Sequence, residues 1–148
     1  MYESEIRVRS YELDSFGHVN HAVFLHYFEA ARFEALEQAG FDPTELARRG
    51  WGIHVVRIEV EYHREVRLGD RLRIRTRTEQ LRNSSFILKQ ELSNRTRDDE
   101  VAATARVVVV WVGEDGRPMR IPDEVRRPFA PASDEDPPDP GRNGGSAD

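Results

Sequence analysis

The chain has 148 residues, 38% hydrophobic and 33% charged, and no cysteine, so it is one domain of ordinary size in which disulfide scaffolds, thiolate metal sites and cysteine nucleophiles are excluded. Its net charge of -5 gathers near the C-terminal end, where Asp134, Glu135, Asp136, Asp139 and Asp148 face Arg142 alone; the nearly neutral remainder lacks the electrostatic footprint of a nucleic-acid binder. The longest apolar run, residues 107–112, is far too short to span a membrane, and the acidic first residues do not have the basic-then-apolar order of a secretory leader, so the expectation is a cytoplasmic protein with neither membrane nor nucleic acid as partner.

Taken in chain order, residues 5–12 read as a first strand. Residues 21–39 carry Phe24, Phe28, Ala31 and Ala35 at helical spacing, widened by Leu25, Leu36 and Ala39, with Asn20 as N-cap and Gly40 as C-terminal stop. Tyr27 and Phe33 extend the apolar surface around the circumference, which predicts a central helix wrapped by other structure. Residues 55–62 alternate Val56, Ile58, Val60 and Tyr62 with Arg57, Glu59 and Glu61, the period of a strand with one wet face. The same period runs through 71–78 and 86–92, with turns at Gly69-Asp70, Asn83-Ser84 and Arg97-Asp98-Asp99. Residues 101–112 are nearly continuous in apolar and β-branched side chains, which predicts a strand buried on both faces at the sheet centre. From 131 to 148 the chain is dense in Pro, Gly and acids and cannot repay its ordering entropy by burial. The expected organisation is an α+β domain over 1–130, an antiparallel sheet of about five strands around one long helix, followed by a disordered tail.

The chemistry-bearing stretch is Tyr11-Glu12-Leu13-Asp14-Ser15-Phe16-Gly17-His18-Val19-Asn20-His21, which joins the first strand to the helix. It brings a carboxylate, a glycine, a histidine and a capping asparagine to the positive end of a helix dipole. Unsatisfied N–H groups of a first helical turn can hold a developing oxyanion, and Gly17 lets a substrate approach the backbone. The same dipole keeps Asp14 ionised as nucleophile or as general base on water. The residues are equally ordinary turn and cap types, so composition leaves a structural role open. His18, His21 and His26 invite a metal, but His21 and His26 lie on different sides of a helix and no His-Glu-x-x-His pattern accompanies them, so no metal is expected. Glu29 and Arg32, three apart, would pair on the helix surface. Arginines alternating over 71–77 read as a solvated strand face.

The order Asp14-Ser15-Phe16-Gly17-His18-Val19-Asn20-His21, followed by Tyr27-Phe28-Glu29-Ala30-Ala31-Arg32 and by Tyr62-His63-Arg64-Glu65-Val66-Arg67-Leu68-Gly69-Asp70, resembles the 4-hydroxybenzoyl-CoA thioesterase family of hotdog-fold acyl-CoA thioesterases. The resemblance covers residues 3 to about 129; Glu65 stands where that pattern usually has proline. It implies a hotdog fold, hydrolysis of an acyl-CoA thioester without cofactor, and two sheets paired edge to edge in a homodimer or homotetramer. Position by position it implies that Asp14 is the essential carboxylate and that the backbone N–H of His21 polarises the thioester carbonyl. His18 and Asn20 position water or substrate, with loop-shaping and capping as their competing roles. Gly17, Arg82 and Ser84 fall at the substrate, the last two on the pantetheine and phosphate edge. Glu29 is a second candidate carboxylate. An acyl-carrier-protein thioesterase and a noncatalytic acyl-CoA-binding module are the competing functions.

Overall fold

The computed structural model describes residues 1–131; of the tail expected over 131–148, all but Pro131 lies outside the described residues. Five strands, β1 (Tyr2–Arg7), β2 (Gly52–Tyr62), β3 (Arg71–Leu81), β4 (Ser85–Asn94) and β5 (Glu100–Val112), form one antiparallel sheet in the order β1-β3-β4-β5-β2. The long helix α1 (His21–Gln38) lies across one face. Two short helices, α2 (Pro43–Arg48) and α3 (Asp123–Arg126), complete the chain. The strand, helix, four-strand order expected of the sequence is present; the short helices were not expected, although Asp42 capping Glu45 N–H at 2.8 Å with Pro43 behind it is a helix-start signature.

Helix α1 forms because its apolar residues recur on one side and its ends are closed. Phe24, Tyr27, Phe28, Ala31, Ala35 and Leu36 are buried against Leu72, Ile74, Leu88, Leu92 and Val107 of the sheet. Asn20 Oδ1 accepts from Ala22 N–H at 2.8 Å. At the other end Gly40, at φ +95°, lets Phe41 N–H reach back to the Leu36 carbonyl at 2.8 Å, the left-handed closure that only glycine adopts at little cost.

Three expectations change. The first strand covers 2–7, because its partner β3 ends opposite at Arg71; past that point the Glu12 carboxylate accepts Arg9 N–H at 2.7 Å and closes a short 3-10 turn over Ser10–Glu12. Central place in the sheet belongs to β4, and β5 lies between it and β2. The burial of β5 alternates, its inner face closed by the helix and its outer face only half-covered, so its unbroken apolar run marks two differently covered faces. Finally, one sheet covers one side of α1, leaving Leu25 and Phe33 exposed.

The sheet's two edges differ. On the β1 side Glu3 pairs with Arg75 at 2.9 Å and Glu5 with Arg95 at 2.8 Å; of the β3 arginines expected on a solvated face, Arg71 and Arg77 are exposed, whereas the side chains of Arg73 and Arg75 are largely covered, Arg75 by its cross-strand pair. On the other side β2 presents Val55 and Val56, 48% and 60% exposed, around a bulge between Val55 and Arg57.

Candidate active site

The loop between Leu13 and Val19 is a small closed structure. Leu13 and Val19 bridge as antiparallel partners, Asp14 N–H donates to the His18 carbonyl at 2.8 Å, and Gly17 N–H donates to the Asp14 carbonyl at 3.2 Å with Gly17 at φ +82°. Inside it, Asp14 Oδ1 accepts from Phe16 N–H at 2.9 Å and from His18 N–H at 3.4 Å, an Asx turn. The other carboxylate oxygen of Asp14 has no hydrogen-bond partner among the described residues. Phe16 at the tip is 82% exposed.

Two connections seat this loop. Val19 N–H donates to the Val66 carbonyl at 2.8 Å and Asn20 N–H to the Glu12 carbonyl at 3.0 Å. The loop thus runs beside the segment joining β2 to β3, and His18 Nε2 meets Glu65 Oε2 at 2.7 Å. That segment is itself pinned by Asp70, 4% exposed, whose Oδ2 accepts Arg67 N–H at 2.9 Å, Asn94 Nδ2 at 2.8 Å and Arg97 Nε at 3.4 Å. Burial alone would raise the Asp70 carboxyl, but those donors together hold it below the ordinary carboxylate range.

His21 is the first residue of α1, so its N–H has no intrahelical acceptor. Its carbonyl takes the Tyr62 hydroxyl at 2.8 Å, and the Tyr62 ring stands edge-on to Phe24 at 5.3 Å; the last residue of β2 therefore clamps the first turn of the helix. Behind the loop, Glu12 and Tyr27 are buried together. Burial would raise the Glu12 carboxyl, yet Arg9, with its guanidinium at 2.8 Å, holds it low. The Tyr27 hydroxyl, outside full hydrogen-bond geometry, is pushed well above the usual tyrosine range by burial and then by the Glu12 carboxylate.

Asp14, Gly17, His18, Asn20 and His21 are thus brought together at the helix start. Arg82 and Ser84 are not. They occupy the hairpin after β3, where Arg82 Nη2 touches Gln80 at 3.3 Å and the Ser84 carbonyl accepts Trp111 N–H at 2.8 Å. The loop sits at the opposite end of β3, roughly 30 Å away at the rise of a strand. Among the described residues no group of three or more His, Cys, Asp or Glu is placed to hold a metal ion.

Glu29 and Arg32 do not form the expected surface pair. Arg32 turns inward to Gln90 Oε1 at 3.0 Å, and burial lowers its guanidinium against the pull of Glu29. Both line a cavity of about 200 Å³ between α1 and the sheet, walled by Phe33, Leu36, Phe86 and Trp111. Phe33 lines it, whereas Phe24 and Phe28 are core and Trp51 packs on Trp111 at 5.4 Å. Sequence reasoning missed Tyr62 as a helix clamp and Glu65 as the partner of His18. The available signal for Glu65 was its presence at a position where the resembled pattern has proline.

Comparison with known proteins bears on the family and the fold. The family model of the thioesterase-like superfamily matches residues 8–129. An acyl-acyl carrier protein thioesterase of Arabidopsis thaliana, ATL3, is 31% identical over 128 residues, 86% of this chain and 67% of its own. The long-chain acyl-CoA thioesterase FadM of Escherichia coli is 32% identical over 111 residues, 74% of this chain and 82% of its own. A probable thioesterase from Bartonella henselae superimposes with a TM-score of 0.77 at 29% identity, covering 82% of this chain and 98% of that one. With five antiparallel strands against one long helix and a family match over nearly all of the described residues, the chain belongs to the thioesterase-like superfamily and has the hotdog fold.

Proposed function

We infer that this protein hydrolyses acyl-CoA thioesters to the free acid and coenzyme A. The observation that carries the chemistry is Asp14, fixed by two backbone N–H groups through one oxygen, with the other oxygen unpartnered among the described residues beside the start of a helix. In this reading the His21 N–H binds the thioester carbonyl oxygen as it becomes negative. Asp14 either takes a proton from water or attacks the carbonyl carbon itself. A C–O bond forms, the C–S bond breaks, and the thiolate leaves and is protonated; where Asp14 itself attacks, water then hydrolyses the mixed anhydride, releasing the acid and restoring the carboxylate. Gly17 and Asn20 shape the entry, and no cofactor takes part.

A panel of acyl-CoA thioesters, straight-chain and 4-hydroxybenzoyl, read by release of free thiol, tests this. At least one substrate turns over repeatedly; no thiol release from any would overturn it. A single-turnover assay separates an enzyme from a noncatalytic acyl-CoA-binding module, which would retain the thioester. The similarity to ATL3 favours a second reading, in which the acyl group arrives on an acyl carrier protein; the same acyl group presented on both carriers decides between them.

For assembly we propose a homodimer or a dimer of dimers joined through β2. Its support is the eleven-residue edge with exposed Val55 and Val56, a template that natural proteins do not leave bare. A second copy is also the route by which Arg82 and Ser84 could reach a substrate at Asp14. Light scattering should show no active monomer at micromolar concentration.

A further inference from the structure

We propose that Glu65 is a positioning residue for His18, and that the two act as one proton-handling unit beside Asp14. The inference rests on the hydrolytic reading above and assigns to this chain a part that the loop residues alone do not contain.

The geometry is specific at both ends of the pair. Glu65 Oε2 stands 2.7 Å from His18 Nε2, while Glu65 Oε1 accepts from Arg67 Nε at 3.1 Å. Each oxygen thus has its own donor, and the carboxylate cannot rotate without losing one of them. Arg67 first, and Arg97 further off, hold the Glu65 carboxyl below the ordinary range, so it is an acceptor at neutral pH. The neighbouring residues Val19 and Val66 are joined by a main-chain hydrogen bond of 2.8 Å. The side-chain pair therefore lies directly next to a backbone link, which removes much of the freedom that usually weakens an exposed pair.

The consequence is chemical. A neutral imidazole carries one N–H, and an anionic acceptor at Nε2 places it there. Nδ1 is then the proton-accepting atom. It is the ring nitrogen nearer the backbone, and the His18 backbone N–H already points at Asp14 Oδ1 at 3.4 Å. Among the described residues Nδ1 has no hydrogen-bond partner. A water held by Asp14 adds to the thioester carbon as Asp14 takes its proton and hands it on to Nδ1. When the C–S bond breaks, the same proton goes to the departing thiolate sulfur, and both side chains return to their starting state. The logic is that of a base oriented by a carboxylate.

A double-mutant cycle tests it. Glu65 is 44% exposed at its side chain, so Glu65→Ala should fold, and thermal melting checks that it does. Turnover should fall at least about tenfold, part of the 10²–10⁴ that an oriented general base supplies, with KM nearly constant. In a His18→Ala background the same Glu65→Ala change should cost nothing more, because its effect passes through the imidazole. Heteronuclear NMR of the His18 ring should show the Nε2–H form in the native protein and a mixture of both N–H forms in Glu65→Ala. Glu65→Gln, which keeps an acceptor oxygen, should recover part of the rate. Native turnover in Glu65→Ala, additive losses in the double variant, or an unchanged His18 tautomer in an active enzyme each overturn the proposal while leaving the hydrolase reading intact. A folded native protein that releases thiol from neither carrier overturns that reading, and this proposal with it.

Discussion

Two aspartates sit in adjacent loops at one end of the sheet, and both organise a turn by accepting backbone N–H groups. Asp70 gathers a main-chain N–H, the Asn94 amide and the Arg97 guanidinium on one buried oxygen. Asp14 accepts two main-chain N–H groups on Oδ1 and is only half-buried, its second oxygen without a hydrogen-bond partner among the described residues. The same residue type is a structural anchor in one loop, reaching back to a single N–H three residues behind it, and in the proposed mechanism the reagent in the other, reaching forward to Phe16 and His18. What differs is how much of the carboxylate's capacity the fold has consumed, and that difference can be broken from either side.

The largest effect is expected at the reagent. Asp14→Asn keeps the Oδ1 acceptor and so the turn, but removes the charge; turnover should fall at least about a hundredfold, the scale of general-base loss. KM and melting temperature should barely move. Near-native turnover on a good substrate would transfer attention to Glu29. At the anchor the balance should reverse. Asp70→Ala leaves Arg67 N–H and the buried Asn94 amide without their acceptor, and should lower the unfolding free energy by about 2–3 kcal/mol, measured by denaturant titration.

A smaller, pH-dependent effect sharpens the same contrast. Because the native Asp70 carboxyl lies below its ordinary value, its contribution to stability is present above the unfolded carboxylate pKa of about 4. It is lost as the pH falls through the lower native value. Glu12, also held low, acts in the same direction. Melting temperature should therefore drop on acidification below about pH 4, and Asp70→Asn should flatten that slope. The smallest effect is expected at Arg82, whose side chain, among the described residues, hydrogen-bonds only Gln80. Arg82→Ala should change KM by less than about fivefold, the equivalent of an exposed pair. A larger rise in KM on coenzyme A substrates would mean that this hairpin serves the site of a second subunit.

Much of the fold was legible because its strands advertise a period of two and α1 a period near four. The boundary of β1 was not, since it is set by where β3 begins and by the Glu12 carboxylate folding back on Arg9, both tertiary facts. Nor could the sheet order be read: an unbroken apolar run in 101–112 suits a central strand and a second strand equally, because both are covered on their inner face. In the site, Asp14 to His21 are contiguous, so a local pattern sufficed to bring them together. Glu65 lies 47 positions from His18, and tertiary ties, the main-chain bond between Val19 and Val66 and the Tyr62 hydroxyl on the His21 carbonyl, make them neighbours. Arg82 and Ser84 show the converse: their place at the far end of β3 follows from strand length and register, which no motif encodes.

Gln90, in the middle of the central strand, donates its amide to the Phe28 carbonyl at 2.9 Å and to Thr76 at 3.0 Å, and accepts from Arg32 at 3.0 Å. It thus touches the helix at two points one turn apart, and two points index a cylinder where one would let it slide. A slip of α1 by one residue would rotate it by about 100° and strand that amide in the core. The angular setting of the helix is therefore decided at its middle, by a buried strand residue, and the direction in which the His21 N–H points is inherited from it.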